Sequence, residues 1–225
     1  MTPPAIVEAA LEAGLDMIAV CDHNSAGNVA AVQEAAGDRL VVLAGMEVTS
    51  VEEAHVVGLF PDAAAAEAAA AEVRALLPPA DAAYYSFFGE QSLLCSDGSA
   101  RGGETAALAV ASTLDLNDTV NLIKSHGGLA VAAHIDRRAF GVLSQLGCFP
   151  EDAGFDGVEV SRHMPSDAPR MEEFRTFGLP ITGSSDSHYL REIGAAVTVL
   201  TLEEPTFAEL VLAFAGKEGR RVDRA

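Results

Sequence analysis

Four of the six histidines in this 225-residue chain, His23, His55, His134 and His188, stand at the ends of short apolar runs, accompanied by three carboxylates, Asp22, Glu47 and Asp186. Imidazole nitrogens and carboxylate oxygens without a thiolate suit Zn²⁺, Mn²⁺ or Fe²⁺ better than Ca²⁺. Several carboxylates in one place also permit a bridge between cations, as two-metal hydrolytic sites require. Taken singly, each residue has a plainer role. Asp22 would serve as a helix N-cap, Glu47 or Glu159 would cap the following turn, and a lone histidine at a strand end is more often hydrogen-bonded than ligating. Recurrence shifts the reading towards metal, because ligands in a parallel α/β fold bind where the C-terminal ends of the strands share one face.

The elements that must position these residues follow from apolar periodicity. Thr2-Pro3-Pro4 puts a capping hydroxyl before proline, and Ile6, Val7, Ala10 and Leu11 continue at helical spacing to Gly14. Asp16–Val20 is a short apolar run that ends in Cys21-Asp22-His23-Asn24, the pattern of a buried parallel strand. Leu40–Met46 runs into Glu47, Leu129–Ala133 into His134, Gly157–Val160 into Ser161-Arg162-His163, and Pro180–Gly183 towards Asp186-Ser187-His188. His55–Phe60 carries its histidine at the start. Helices are expected over 27–37, 62–77, 116–126, 137–146, 166–177 and 205–215. This alternation implies a parallel sheet, open or closed into a barrel. Residues 84–104 interrupt it, and their aromatics, glycines and Asp97-Gly98 turn read as a hairpin-like insertion.

Composition bounds the rest. With 49% hydrophobic and 21% charged residues, the chain can build one sizeable core. A net charge of −19 repels a long nucleic-acid backbone while leaving room for a small phosphorylated ligand at a local basic patch. Three widely spaced cysteines, Cys21, Cys95 and Cys148, indicate neither a disulfide framework nor a zinc knuckle. No basic-then-apolar leader and no apolar run of about 18 residues is present, so a cytoplasmic, non-membrane chain is expected. No Walker-type or dinucleotide glycine motif occurs, and Gly183-Ser184-Ser185 is no nucleophile elbow. The lysines, Lys124 and Lys217, lie in expected helices away from strand ends, which counts against a carbamylated-lysine metal bridge.

The segments GLDMIAVCDHN (14–24), LAGMEVTSVEEAHVVGLF (43–60), GGLAVAAHIDR (127–137) and ITGSSDSH (181–188) together resemble the PHP (polymerase and histidinol phosphatase) domain superfamily. The resemblance implies a distorted seven-stranded β/α barrel over 1–225 with up to three metals, and a metal-dependent phosphoesterase. It implies His23, Glu47, His55, His134, Asp186 and His188 as metal ligands. Glu47 would bridge two ions, of which Asp186 would serve one and His55 and His134 would complete the other, while His23 and His188 would hold a third. Asp22 would orient His23 from behind. Asp22, His23, Glu47, His134 and Asp186 are the residues expected to take part in catalysis. Family chains open with a strand carrying His-x-His, and nothing before Thr2 supplies one. The first strand is therefore expected to be missing, the chain to be shortened at its N-terminus, and the site of Glu47, His55 and His134 to be the complete one.

The substrate is expected to be a small phosphorylated metabolite, a nucleotide or a very short oligonucleotide, attacked by metal-activated water. Arg137 and Arg138, which follow the His134 run, and His163 are the candidate phosphate-binding residues, since a planar guanidinium suits bidentate phosphate recognition. His126, at a helix end, reads as structural. Tyr84, Tyr85, Phe87 and Phe88 read either as a lid over a nucleobase or as the core of the insertion. An inactive or regulatory module and a metal-dependent amidohydrolase are the competing functions.

Overall fold

The structure, a computed structural model, describes residues 1–224. Its elements in chain order are α1 (Pro3–Glu12), β1 (Met17–Val20), α2 (Val29–Ala36), β2 (Val41–Thr49), β3 (His55–Phe60), α3 (Ala63–Arg74) and α4 (Ala82–Phe88). There follow β4 (Ser92–Leu94), β5 (Ala100–Gly103), α5 (Leu116–Ser125), β6 (Leu129–Ala132), α6 (Val142–Leu146), β7 (Gly157–Ser161), α7 (Arg170–Arg175), β8 (Ile181–Ser184), β9 (Val199–Thr201), α8 (Phe207–Phe214) and β10 (Arg221–Arg224). Short 3₁₀ turns lie at Gly37–Arg39 and Leu190–Glu192.

Six strands form the main sheet in the order β1-β2-β3-β6-β7-β8, which curls into a half-barrel. The expected parallel sheet is corrected at one strand. β3 runs antiparallel to both β2 and β6, while the β1-β2, β6-β7 and β7-β8 pairs are parallel. The reversal follows from the short connection Ser50–Ala54, which is far too brief for the crossover that a parallel neighbour needs. It also explains why His55 opens its strand rather than closing it: the start of β3 and the end of β2 lie at the same rim, with Thr49 opposite His55.

Side-chain alternation divides the sheet into two faces. Val42, Ala44, Met46, Val48, Val56, Phe60, Ala130, Ala132, Val158 and Val160 pack against helices in the larger core. Leu43, Val57, Leu59, Leu129 and Val131 form a second cluster, covered by Leu210 with Phe207 and Phe214 of α8. Glu47 and His55 share the parity of this second face, as does Glu159, so their side chains stand above an apolar floor.

Local chemistry fixes several boundaries. Asp62, Asp115 and Thr206 accept hydrogen bonds from Ala65, Asp118 and Glu209 backbone N–H groups, capping α3, α5 and α8. Thr2, by contrast, makes no side-chain cap bond, and proline at the first helical positions starts α1 instead. The helix expected from 137 begins only at Val142, because residues 134–141 form a tight loop in which His134 and Phe140 have positive φ. The helix expected over 166–177 is confined to Arg170–Arg175, after Pro165 and Pro169. Residues 84–104 comprise the end of α4 and an antiparallel β4-β5 hairpin around Asp97-Gly98. The β9-β10 pair near the C-terminus had no counterpart in the periodicity. Among the described residues no helix is long and apolar enough to cross a membrane.

Candidate metal centre

Glu47 is the hub of the rim. Its residue is buried, and Oε2 lies 3.1 Å from His23 Nδ1 and 3.3 Å from His55 Nδ1. Oε1 lies 3.4 Å from His134 Nε2. His55 Nδ1 and His134 Nε2 are themselves 3.2 Å apart. Donor atoms of His23, Glu47 and His55 all fall within 4.8 Å of one another, the spacing of a group that can hold one cation. The rings of His23 and His55 are 5.1 Å apart, those of His55 and His134 5.2 Å, and that of His188 lies 6.1 Å from His23.

The chain reaches this arrangement by backbone pairing. His23 forms a parallel bridge with Glu47, with Glu47 N–H donating to Asp22 C=O at 3.0 Å and Asn24 N–H donating to Glu47 C=O at 2.8 Å. Asn24 then turns with φ +50°, a conformation Asn tolerates better than most side chains. Its buried amide donates to the carbonyls of Leu108 and Val110 at 2.8 and 3.0 Å and accepts from Thr49 N–H at 3.0 Å. Asn24 is the site-building residue that the sequence reading passed over. Its signal was present, since an Asn placed directly after a strand-end Asp-His favours such a turn. His134 and Asp186 also have positive φ, +27° and +44°, at the ends of β6 and β8. Non-glycine residues in that region concentrate at functional sites, where the surroundings enforce them.

The remaining expected residues divide into those near the cluster and those held elsewhere. The Asp186 carboxylate is paired with Arg137 and lies 3.7 Å from His188 Nδ1, and His188 itself is exposed. Arg138 and His163 are exposed. His163 receives only a backbone tie, its N–H donating to Ser161 Oγ at 3.2 Å. The Asp22 carboxylate accepts from the Asn28 amide at 3.2 Å. Its backbone carbonyl also ties it to the rim, accepting from Glu47 N–H at 3.0 Å. Arg162 is occupied by Ser185 C=O and Glu192. His126 ends α5 and pairs with Glu72 at 2.9 Å. The Tyr84 and Tyr85 hydroxyls are bound inside the insertion, to Gln91 and to Glu104 C=O, while Phe87 and Phe88 are exposed.

Electrostatics follows from this crowding. Burial pushes the Glu47 carboxyl up, but the rings of His134 and His55 and the charge of His23 outweigh it and hold the group well below the usual carboxylate range. Burial likewise lowers His23, with Glu47 only partly offsetting it. For His134, burial lowers the pKa, and the contacts to Glu47 and Glu159 reverse the direction. Glu159, desolvated and facing Glu47, is pushed up to about 7. A set of mutually facing nitrogens and carboxylate oxygens, largely shielded from water, fits a divalent cation. The other ring nitrogen of His134, Nδ1, points away from Glu47 and is buried with no hydrogen-bond partner.

Comparison with known proteins agrees with this fold. Residues 171–217 match the PHP-associated family model. The lesion-specific endonuclease Q of Pyrococcus furiosus superposes with a TM-score of 0.71 at 16% identity over 99% of this chain and 53% of its own. An endonuclease Q complex with a 27-mer duplex substrate, an abasic lesion at its active site, gives a TM-score of 0.69 at 14% identity with the same coverages. A protein provisionally assigned as a metal-dependent phosphoesterase from Bifidobacterium adolescentis gives 0.59 at 21% identity, over 91% of this chain and 84% of its own. The chain thus spans about half the length of the endonuclease Q chains it matches. No curated protein matches the sequence. The chain carries a PHP-associated segment and has the fold of PHP-like metal-dependent phosphoesterases and endonuclease Q. At these identities what is shared is the fold, and the chemistry is argued from the site.

Proposed function

We propose that the chain is a metal-dependent hydrolase of phosphate esters acting on a small phosphorylated metabolite, a nucleotide or a very short oligonucleotide. The observation that carries this reading is the buried Glu47 carboxylate faced by ring nitrogens of His23, His55 and His134. Divalent ions, when bound, supply acidified water and neutralise charge on the phosphoryl oxygens. His23, Glu47, His55 and His134 would hold one ion or more, with Asp186 and His188 at the outer side.

The chain's own residues then bind and orient. Glu47, kept anionic by its neighbours, turns one oxygen to His23 and His55 and the other to His134. Arg137 stands beside Asp186 and presents a half-exposed guanidinium to an incoming phosphate, with Arg138 and His163 as further contacts. The apolar floor beneath the rim keeps bulk water from the far side of the cluster, which strengthens each polar contact. A net charge of −19 favours small anions steered by local arginines over polymer backbones, in contrast to the duplex that endonuclease Q accepts.

Hydrolysis of p-nitrophenyl phosphate by chain loaded with Mn²⁺ or Zn²⁺ tests this. Glu47→Gln and His134→Ala are expected to lower kcat/KM by about 100-fold or more, equivalent to ~3 kcal/mol of charge stabilisation. Turnover of amides but not phosphates would replace the proposal with C–N bond hydrolysis. A folded chain that takes up metal and turns over neither would replace it with a regulatory module.

A further inference from the structure

We infer that Phe140 is a positioning residue for the metal centre: a left-handed backbone conformation lays its ring flat on the His55 imidazole and fixes the plane in which that imidazole meets a cation. The inference rests on reading the His/Glu pocket as a metal site.

The two rings are stacked, with centroids 4.5 Å apart and planes 12° from parallel. Phe140 has φ +61°, a region that a bulky side chain occupies only when its surroundings impose it. Those surroundings are on both sides of its backbone. His55 N–H donates to Phe140 C=O at 2.8 Å. In the amide orientation that satisfies its neighbours, Gln145 accepts from Phe140 N–H at 3.2 Å and donates to Glu52 C=O at 3.3 Å. The same residue therefore grips His55 twice, by the main chain and by the ring.

Burial does not account for the strain, because Phe140 is 39% exposed. Nor does the loop lack a residue able to turn freely. Gly141 is next in the chain, yet it takes φ −80°, and the left-handed position falls on the phenylalanine. A Cβ at Gly141 would lie 2.8 Å from Arg137 O and 3.0 Å from His134 O, so the glycine is reserved for close backbone approach. The loop that presents His134 thus also delivers Phe140 to the adjacent ligand.

The stack restricts what His55 has left to vary. Rotation of the imidazole about its Cβ–Cγ bond would swing Nδ1 away from Glu47 Oε2 and His134 Nε2, and the parallel ring resists that rotation. A ligand held in its binding orientation before the cation arrives loses less freedom on binding. Groups that orient a ligating histidine are typically worth 10- to 100-fold in metal affinity.

The test uses the intact chain and Co²⁺, whose d–d absorption reports binding, with Zn²⁺ by competition. Phe140→Leu keeps the bulk and the backbone demand but loses the planar stack, and is expected to bind Co²⁺ at least about 10-fold more weakly. Its melting temperature in chelator should stay near that of the wild type, while Phe140→Tyr should restore the affinity. Without metal, the His55 ring proton resonances should lie upfield in the wild type and in Phe140→Tyr, and move downfield in Phe140→Leu. Wild-type affinity in Phe140→Leu overturns the positioning role, as does a loss that Phe140→Tyr fails to restore. A wild type that takes up no Co²⁺ overturns the metal reading beneath it, so the two ideas fail separately.

Discussion

Glu47 and Glu159 stand on the same face of the sheet, yet their surroundings drive them in opposite directions. Ring nitrogens crowd Glu47 and keep it ionised, whereas Glu159 has desolvation and the Glu47 charge against it and is pushed up to about 7. A carboxyl whose pKa is higher in the folded chain than in the unfolded one contributes its full stability below the unfolded value. It loses that contribution as pH rises towards the folded value. The window runs from the ordinary glutamate value of 4.5 to about 7, with a slope of at most ~1.4 kcal/mol per pH unit. In chelator, Glu159→Gln is therefore expected to gain on the wild type by about 1–3 kcal/mol between pH 5 and pH 8, read from denaturant unfolding. Parallel stability curves for the two proteins would show that Glu159 is ionised in both states throughout. The types of the site residues were legible in the sequence because they sit at the ends of apolar runs. Their ties were less so: the turning of Asp22 towards Asn28, the hub role of Asn24 and the Arg137–Asp186 pair all join segments that periodicity treats as independent.

The loop between β6 and α6 shows how one element sets the geometry of the site. It carries His134 at its start and Phe140 near its end, and Gly141 allows it to close on itself. Gly141→Ala would force the Arg137 and His134 carbonyls aside, at a cost of about 1–3 kcal/mol typical of overpacking. The expected result is a lower melting temperature in chelator together with weaker Co²⁺ binding. A lower melting temperature with unchanged binding would separate the loop from the site. All six strands of the sheet were readable as short, nearly continuous apolar runs, and most helices by apolar spacing at the period of 3.6. The direction of β3 was not readable from its composition, since a strand buried on both faces looks the same either way round. Only the short Ser50–Ala54 connection carried that information. The false start of α6 at 137 has a similar cause: Arg137-Arg138-Ala139 favours a helix locally, and the backbone bonds of Phe140 to His55 and Gln145 override that preference.

At the scale of the whole molecule, two faces of one curled sheet divide the work. One face packs helices, and the other bears an apolar floor with the polar rim above it. Outside this rim the field is set by 33 acidic residues against 14 basic ones. Such a surface predicts that undamaged duplex DNA does not compete with a small phosphate ester at 0.15 M salt, where the electrostatic reach is about 8 Å. Inhibition of p-nitrophenyl phosphate turnover by micromolar duplex would contradict this and move the chain towards the substrate class of endonuclease Q. Whether the residues around Glu47 hold a divalent ion is decided by diffraction from crystals grown with Zn²⁺, using the anomalous signal at the metal edge. The expected result is an anomalous peak about 2.0–2.2 Å from a Glu47 oxygen and from ring nitrogens among His23, His55 and His134. A fully loaded crystal with no peak in that pocket, and zinc only at surface carboxylates, would contradict it.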